Sequence, residues 1–227
     1  MNEELFKFIK YFIRYTILFL TGSILFSQWT SFQISDENKN SESIFRYAGF
    51  AAVNDSPIDI INERRVSITG SISTGNSTDG LIPVLHGKMK ISWNLSIKGR
   101  MASFSSDDGS IQMYGWGLTL KPGTIEDPSK WRILFDSGSL NSHNQLKISS
   151  MSTKAVRRVE FKKFPIYYGF GTNILNGISL KTLNNYELHS NFLLFGLSKI
   201  FFGIIVSPQI LVDGENNYLS ISLLSHF

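Results

Sequence analysis

The sequence has no cysteine, which excludes a disulfide framework, a thiolate zinc site and a cysteine nucleophile together. It also lacks a large excess of charge of either sign. There are 22 Lys and Arg against 18 Asp and Glu, a net charge of +4. Three of the basic residues (Lys7, Lys10, Arg14) and two of the acidic ones (Glu3, Glu4) lie in the N-terminal arm. The remainder is too even for a nucleic-acid binder, so no nucleic-acid partner is expected.

Catalytic and cofactor signatures are missing as well. No P-loop, G-x-S-x-G elbow, S-x-x-K or H-E-x-x-H occurs. Gly169-Phe170-Gly171 lacks the third glycine and the following helix of a dinucleotide fingerprint. The histidines His86, His143, His189 and His226 are scattered, none with a partner at metal-ligand spacing. We therefore expect no catalytic residue, no metal and no cofactor, and read the chain as non-enzymatic. His86 falls on the polar side of a strand pattern and is expected at the surface.

What is present is alternation. From Leu85 to Ile97 every odd position is apolar or glycine and every even one polar or charged, the period of a strand with one dry and one wet face. Val66, Ile68, Gly70 and Ile72 alternate with Ser67, Thr69, Ser71 and Ser73, and Tyr114, Trp116, Leu118 and Leu120 share one face of 111–120. Turn-forming clusters, among them 75–80, 107–109 and 136–139, recur at intervals of roughly ten to fifteen residues, which favours an all-β meander over α/β. Ser43 to Val53 reads equally as a short helix or a first strand. Phe192 to Val206 is strongly apolar with one charge, Lys199. Its length and glycines favour two strands meeting near Ser198-Lys199 over a second membrane helix.

Between Arg14 and Asp36 no charge occurs, and Ile17, Leu18, Phe19, Leu20, Ile24, Leu25 and Phe26 supply an apolar core ending at Trp29. Basic residues before it and acidic ones after it predict a retained anchor with the N-terminus in the cytoplasm. A cleaved export signal is the competing reading. Lys154, Arg157, Arg158, Lys162 and Lys163 place five positive charges in ten residues, a candidate patch for anionic lipid. The last stretch, with Leu219, Ile221, Leu223 and Phe227 alternating, reads like the closing strand of an outer-membrane barrel.

Three stretches carry a family likeness: Val66 to Gly75; Ile91 to Leu95 followed by Gly99 and Arg100; and Asp108-Gly109 leading to Gly115 and Leu118. Across residues 64–126 they resemble the type II secretion system protein N group and the wider AsmA-like bacterial envelope proteins. The resemblance implies a short cytoplasmic tail, one inner-membrane helix and a periplasmic β-domain without a catalytic residue. It also implies an apolar concave sheet, lined by Met89, Ile91, Trp93, Leu95 and Ile97, that holds a lipid chain or a partner strand.

The expected architecture is mainly β: an N-terminal transmembrane helix followed by an antiparallel β meander, an open curved sheet or sandwich. Its divisions are a cytoplasmic tail at 1–14, an anchor at 15–34, a linker at 35–45 and an exported domain at 46–227. The expected place is the inner membrane with the bulk of the chain in the periplasm, and the expected role a component of secretion or lipid handling with protein partners in a membrane complex. The alternatives are an accessory subunit of a larger membrane complex and an outer-membrane β-barrel.

Overall fold

A computed structural model describes residues 29–34, 38–57, 65–77, 79–106, 109–161, 164–201, 204–214 and 216–225. One helix, α1 (Asn38–Val53), precedes β1 (Val66–Gly75), β2 (Ile82–Lys90), β3 (Leu95–Ser106), β4 (Gly109–Leu120), β5 (Trp131–Ser142), β6 (Leu146–Phe161), β7 (Phe164–Ser179), β8 (Asn185–Leu197), β9 (Lys199–Phe201), β10 (Ile204–Asp213) and β11 (Asn216–Ser225). Each strand from β1 to β7 pairs antiparallel with the next. β8 and the short β9 lie end to end against β10, β10 pairs with β11, and β11 returns to β1. The ring therefore closes as ten strand positions, with β11 paired to both β10 and β1. An open sheet or sandwich is overturned by that last pairing, in which Ile68 faces Ser225 and Gly75 faces Tyr218.

Three local readings change with it. The alternation from Leu85 to Ile97 is two strands, because Ser92 and Asn94 build a turn inside it. Ser92 Oγ donates to Asn94 Oδ1 at 2.7 Å and accepts from Leu95 N–H at 3.1 Å, the local bonding that lets these residues compete with a ladder. Asp136 to Ser139 is the middle of β5 rather than a turn. The apolar stretch at 192–206 consists of strands, as expected, with β9 and β10 joined across residues 202–203 instead of at 198–199.

One mouth, here the upper, carries the β1–β2, β3–β4, β5–β6, β7–β8 and β10–β11 connections. The lower carries the other connections, the start of β1 and the end of β11. Residues 29–34 lie at the upper mouth, and residues 38–56 run through the lumen from upper to lower. Thr30 N–H donates to Leu81 O, and Trp29 packs on Phe104 at 5.9 Å between ring centroids, both at the upper mouth. α1 then runs down inside the wall. From Ile44 onward all its residues except Arg46 are buried, and a helix apolar all round is one that has no wet side. Phe45 stacks on Tyr186, Tyr47 packs at a tilt on Tyr218, and Phe50 lies edge-on against Phe192. Ala48, Gly49, Ala51 and Ala52 keep the helix slim, and the wall is notched to admit it: a Cβ on Gly138 would collide with Ala52 O, and one on Gly177 with the Phe45 ring.

Candidate functional site: the sealed lumen and the outward face

The strands distribute their side chains in two zones. In the upper part of β4–β8 the apolar residues point inward and the polar ones outward, as in a soluble protein. On β6, Leu146 and Ile148 face the lumen while Lys147 and Ser149 face out. Lower down, the pattern inverts without a break in the strand: Ser150, Ser152 and Lys154 are buried inside and Met151 is exposed. β8 repeats this, with Glu187, His189 and Asn191 outward above and Leu193, Phe195 and Leu197 outward below. On the β11–β1–β2 side the outward residues are apolar over most of the strand height: Leu219, Ile221 and Leu223, Val66 and Ile68, Leu85 and Met89. Trp116 is 53% exposed and Ile221 54%; a belt of such residues around a closed wall belongs in hydrocarbon. Trp131, Tyr168 and Phe170 gather at its lower border, where Arg157 lies over the Trp131 ring at 5.8 Å, the place for interfacial aromatics.

The lower lumen holds an ion cluster around the end of the plug. Asp136, from β5, is fully buried and pairs with Lys98 at 2.9 Å, with Lys154 at 3.3 Å and with Arg100. Asp55, just past α1, accepts from Lys98 Nζ at 2.5 Å, and His86 Nδ1 lies 3.6 Å from its other oxygen. Arg100 Nη1 also donates to Ala52 O at 3.4 Å and Asn54 O at 3.2 Å. α1 has no basic residue in its last turn, so the wall supplies the cation that its terminal carbonyls and dipole favour. Beside the cluster Ser56, Tyr167, Ser198, Ser207, Gln209 and Asn54 form a hydrogen-bonded network, including Tyr167 to Ser207 at 2.8 Å and Gln209 Nε2 to Asn54 Oδ1 at 2.8 Å. Asp55 lies on the plug, not on a strand. Burial by itself would raise its carboxyl, but Lys98, then His86, Arg100 and Lys154, hold it well below the usual carboxylate range.

Closure scatters some residues singled out from sequence and gathers others. Met89, Leu95 and Ile97 face outward, with Met89 47% exposed, and Ile91 and Trp93 sit at the β2–β3 turn, so they line no inner concave sheet. The basic run divides by strand parity. Lys154 is in the lumen cluster, Arg157 is outside at the aromatic belt, Arg158 pairs with Glu160 at 2.9 Å, and Lys162 and Lys163 lie outside the described residues. Arg14, Ile17, Leu18, Phe19, Leu20, Ile24, Leu25 and Phe26 also lie outside them; Trp29 belongs to the barrel mouth. Sequence reasoning missed Asp55, His86, Lys98, Arg100 and Asp136. The available signal was Lys98 and Arg100 on the wet side of a strand whose dry side had no partner layer.

A closed antiparallel wall with an apolar outer belt and a charged lower lumen is the architecture of transmembrane β-barrels of the outer-membrane kind, and this chain has that architecture. That corrects the inner-membrane, single-pass reading and the likeness to the type II secretion protein N and AsmA-like group: the apolar faces meet lipid through a closed wall, and no described helix is long and apolar enough to cross a membrane. No family model and no curated protein matches the sequence. Among solved structures the chain is similar to the translocator domain of the autotransporter NalP from Neisseria meningitidis, with TM-score 0.45, 8% identity, 73% of this chain and 90% of that one. It is similar to the KdgM porin, with TM-score 0.42, 9% identity, 71% and 99%, and to Ail of Yersinia pestis, with TM-score 0.24, 7% identity, 70% and 91%. Strand registers and side-chain placement, rather than these likenesses, define the barrel.

Proposed function

We propose that this chain is a non-enzymatic outer-membrane barrel that is sealed at rest, with its polar upper rim turned outward from the cell. The observation that carries this is the plug: α1 is packed in the upper lumen and held by ions in the lower. Withdrawing it would expose Phe32, Phe45, Tyr47 and Phe50, all buried, at about 2 kcal/mol each and on the order of 10 kcal/mol together. Spontaneous opening at that cost is negligible. The buried carboxylates Asp55 and Asp136 are both engaged by lumen cations, a structural use of these acids that fits the non-enzymatic reading.

The partners that fit this reading are bilayer lipid around the apolar belt and a protein or surface polymer at the polar outer wall of β5–β8. A barrel destined for the outer membrane must leave the inner one, which favours the cleaved-signal reading of the N-terminal apolar segment. The mass of protein recovered from outer membranes decides that point. The sealed state is tested by reconstituting the full chain in planar bilayers. The expected result is no steady conductance above the lipid baseline; a stable ohmic channel in the unmodified protein would overturn the proposal.

A further inference from the structure

β10 pairs with β8 only from Leu193 to Gly196, and the β10–β11 hairpin turns over between Asp213 and Asn216. β8 runs on upward to Asn185 with β7 along one flank. On its other flank, residues 185–192 have no strand beside them among the described residues. The wall is closed below and notched above, at the height where the outward residues Glu187, His189 and Asn191 are polar.

Strand parity decides which backbone groups meet that notch. In an antiparallel pair, successive residues turn their N–H and C=O to opposite flanks. Ser179 N–H donates to Asn184 O at 2.9 Å and Ser198 N–H to Pro165 O at 3.0 Å, so the even-numbered residues here face β7. Asn185, Glu187, His189 and Asn191 therefore turn theirs to the notch. One of these carbonyls is answered from α1: Arg46 Nη1 donates to His189 O at 3.1 Å and to Ser190 Oγ at 2.5 Å. The others form a row of ladder groups on exposed residues, the template that an added strand completes. The notch is also acidic. Glu42, Glu187 and Asp213 border it against Arg46, which pairs with Glu42 at 2.7 Å and lies 3.8 Å from Asp213.

We propose that the upper flank of β8 takes up an extended, lysine- or arginine-bearing segment of a partner protein as an added strand, backbone to backbone with residues 185–191. This rests on the reading of the polar rim as lying outside the bilayer, and it gives the protein partner of that rim a site and a chemistry. Basic side chains of the segment lie against Glu42 and Asp213 on its inner face or Glu187 on its outer face. A second copy fits less well. Two barrels upright in one membrane are related by an axis along the membrane normal, which brings two tilted copies of β8 together crossed rather than side by side.

The probe is an end-blocked peptide alternating threonine with lysine, added to the full chain in detergent. Neither membrane orientation nor conductance enters there, so a failure leaves the sealed-barrel reading standing. In the free protein, hydrogen exchange followed by NMR should be faster at the amides of Glu187, His189 and Asn191 than at those of Tyr186, Leu188 and Ser190. The peptide should bind saturably and slow the first set at least about tenfold. The same peptide with every backbone amide methylated, or with glutamate for lysine, should bind at least about tenfold more weakly. His189→Pro, which removes a donor on the free flank and spares the β7 ladder, should weaken binding to a similar degree. No saturable binding overturns the proposal, as does binding indifferent to methylation, to peptide charge or to the proline. Equal protection of the two sets of amides in the free protein also overturns it, since the flank is then already covered by another part of the chain or by a second copy. If His189→Pro does not fold, the methylated peptide on the wild-type protein decides.

Discussion

Lys98 and Asp55 are 43 positions apart, yet Lys98 Nζ donates to Asp55 Oδ2 at 2.5 Å inside the lumen. The bond joins the lower end of the plug to β3, and Lys98 reaches Asp136 on β5 from the same atom. One ammonium group thus holds three parts of the barrel in register.

Asp55→Ala should destabilise the barrel by about 3–5 kcal/mol, the usual cost of leaving a buried cation without one of its partners. Urea unfolding in detergent measures it. Acid should act in the same direction. The folded carboxyl is depressed, so its contribution is complete above the ordinary carboxylate value of about 4 and is lost as pH falls through the lower folded value. Wild-type stability should therefore drop more steeply below about pH 4 than that of Asp55→Asn. Parallel acid curves would show that Asp55 is not the group responsible.

Two glycine substitutions should differ in effect. Gly138→Val places a side chain against Ala52 O, whereas a Cβ at Gly70 meets nothing within 4 Å. Gly138→Val should lose at least about 3 kcal/mol or fail to seat the plug. Gly70→Ala should be neutral or gain up to about 1 kcal/mol. Heat-dependent gel mobility of the folded barrel separates the two, and equal behaviour would mean that the helix does not run against β5.

Charge on the outer wall should be tolerated according to height. Ile221→Arg, in the apolar belt, is expected to cost about 2–4 kcal/mol on folding into lipid vesicles. Asn141→Arg, high on β5, should cost no more than about 1 kcal/mol. Comparable costs at both positions would remove the basis for the two-zone wall.

Orientation can be read with single cysteines, since the chain has none of its own. Lys181→Cys in the β7–β8 connection should react with an impermeant thiol reagent on intact cells. Glu126→Cys, between β4 and β5, should react only after the outer membrane is permeabilised. The reverse pattern would turn the barrel over, and no labelling of either position in intact cells would place it elsewhere.

Much of the wall is legible in the alternation of residues 66–72, 111–120 and 219–223, and the preference for strands over a helix at 192–206 agrees with β8, β9 and β10. The turn within Leu85–Ile97 escapes because Trp93 and Ile91 keep the apolar count alternating while Ser92 and Asn94 make the turn through their own side chains. Ser137, Gly138 and Ser139 read as a turn because small polar residues also suit a strand that faces a helix backbone, and only α1 reveals that. The ion cluster escapes for a similar reason: its members come from α1's end, β2, β3, β5 and β6, and no spacing along the chain joins them.

By itself the sequence determined that the chain is built of strands with two chemically distinct faces and has no cysteine chemistry, because alternation and composition are local properties that any pleated backbone must express. It did not determine which face is dry. In an open sheet the apolar face folds onto a core and Lys98, Arg100 and Lys154 remain in water. Only the β1–β11 closure turned Leu85, Trp116 and Ile221 toward lipid and set those cations against Asp55 and Asp136. A closed wall has one inside, and α1 occupying it left the bilayer as the remaining apolar surroundings for the outward face.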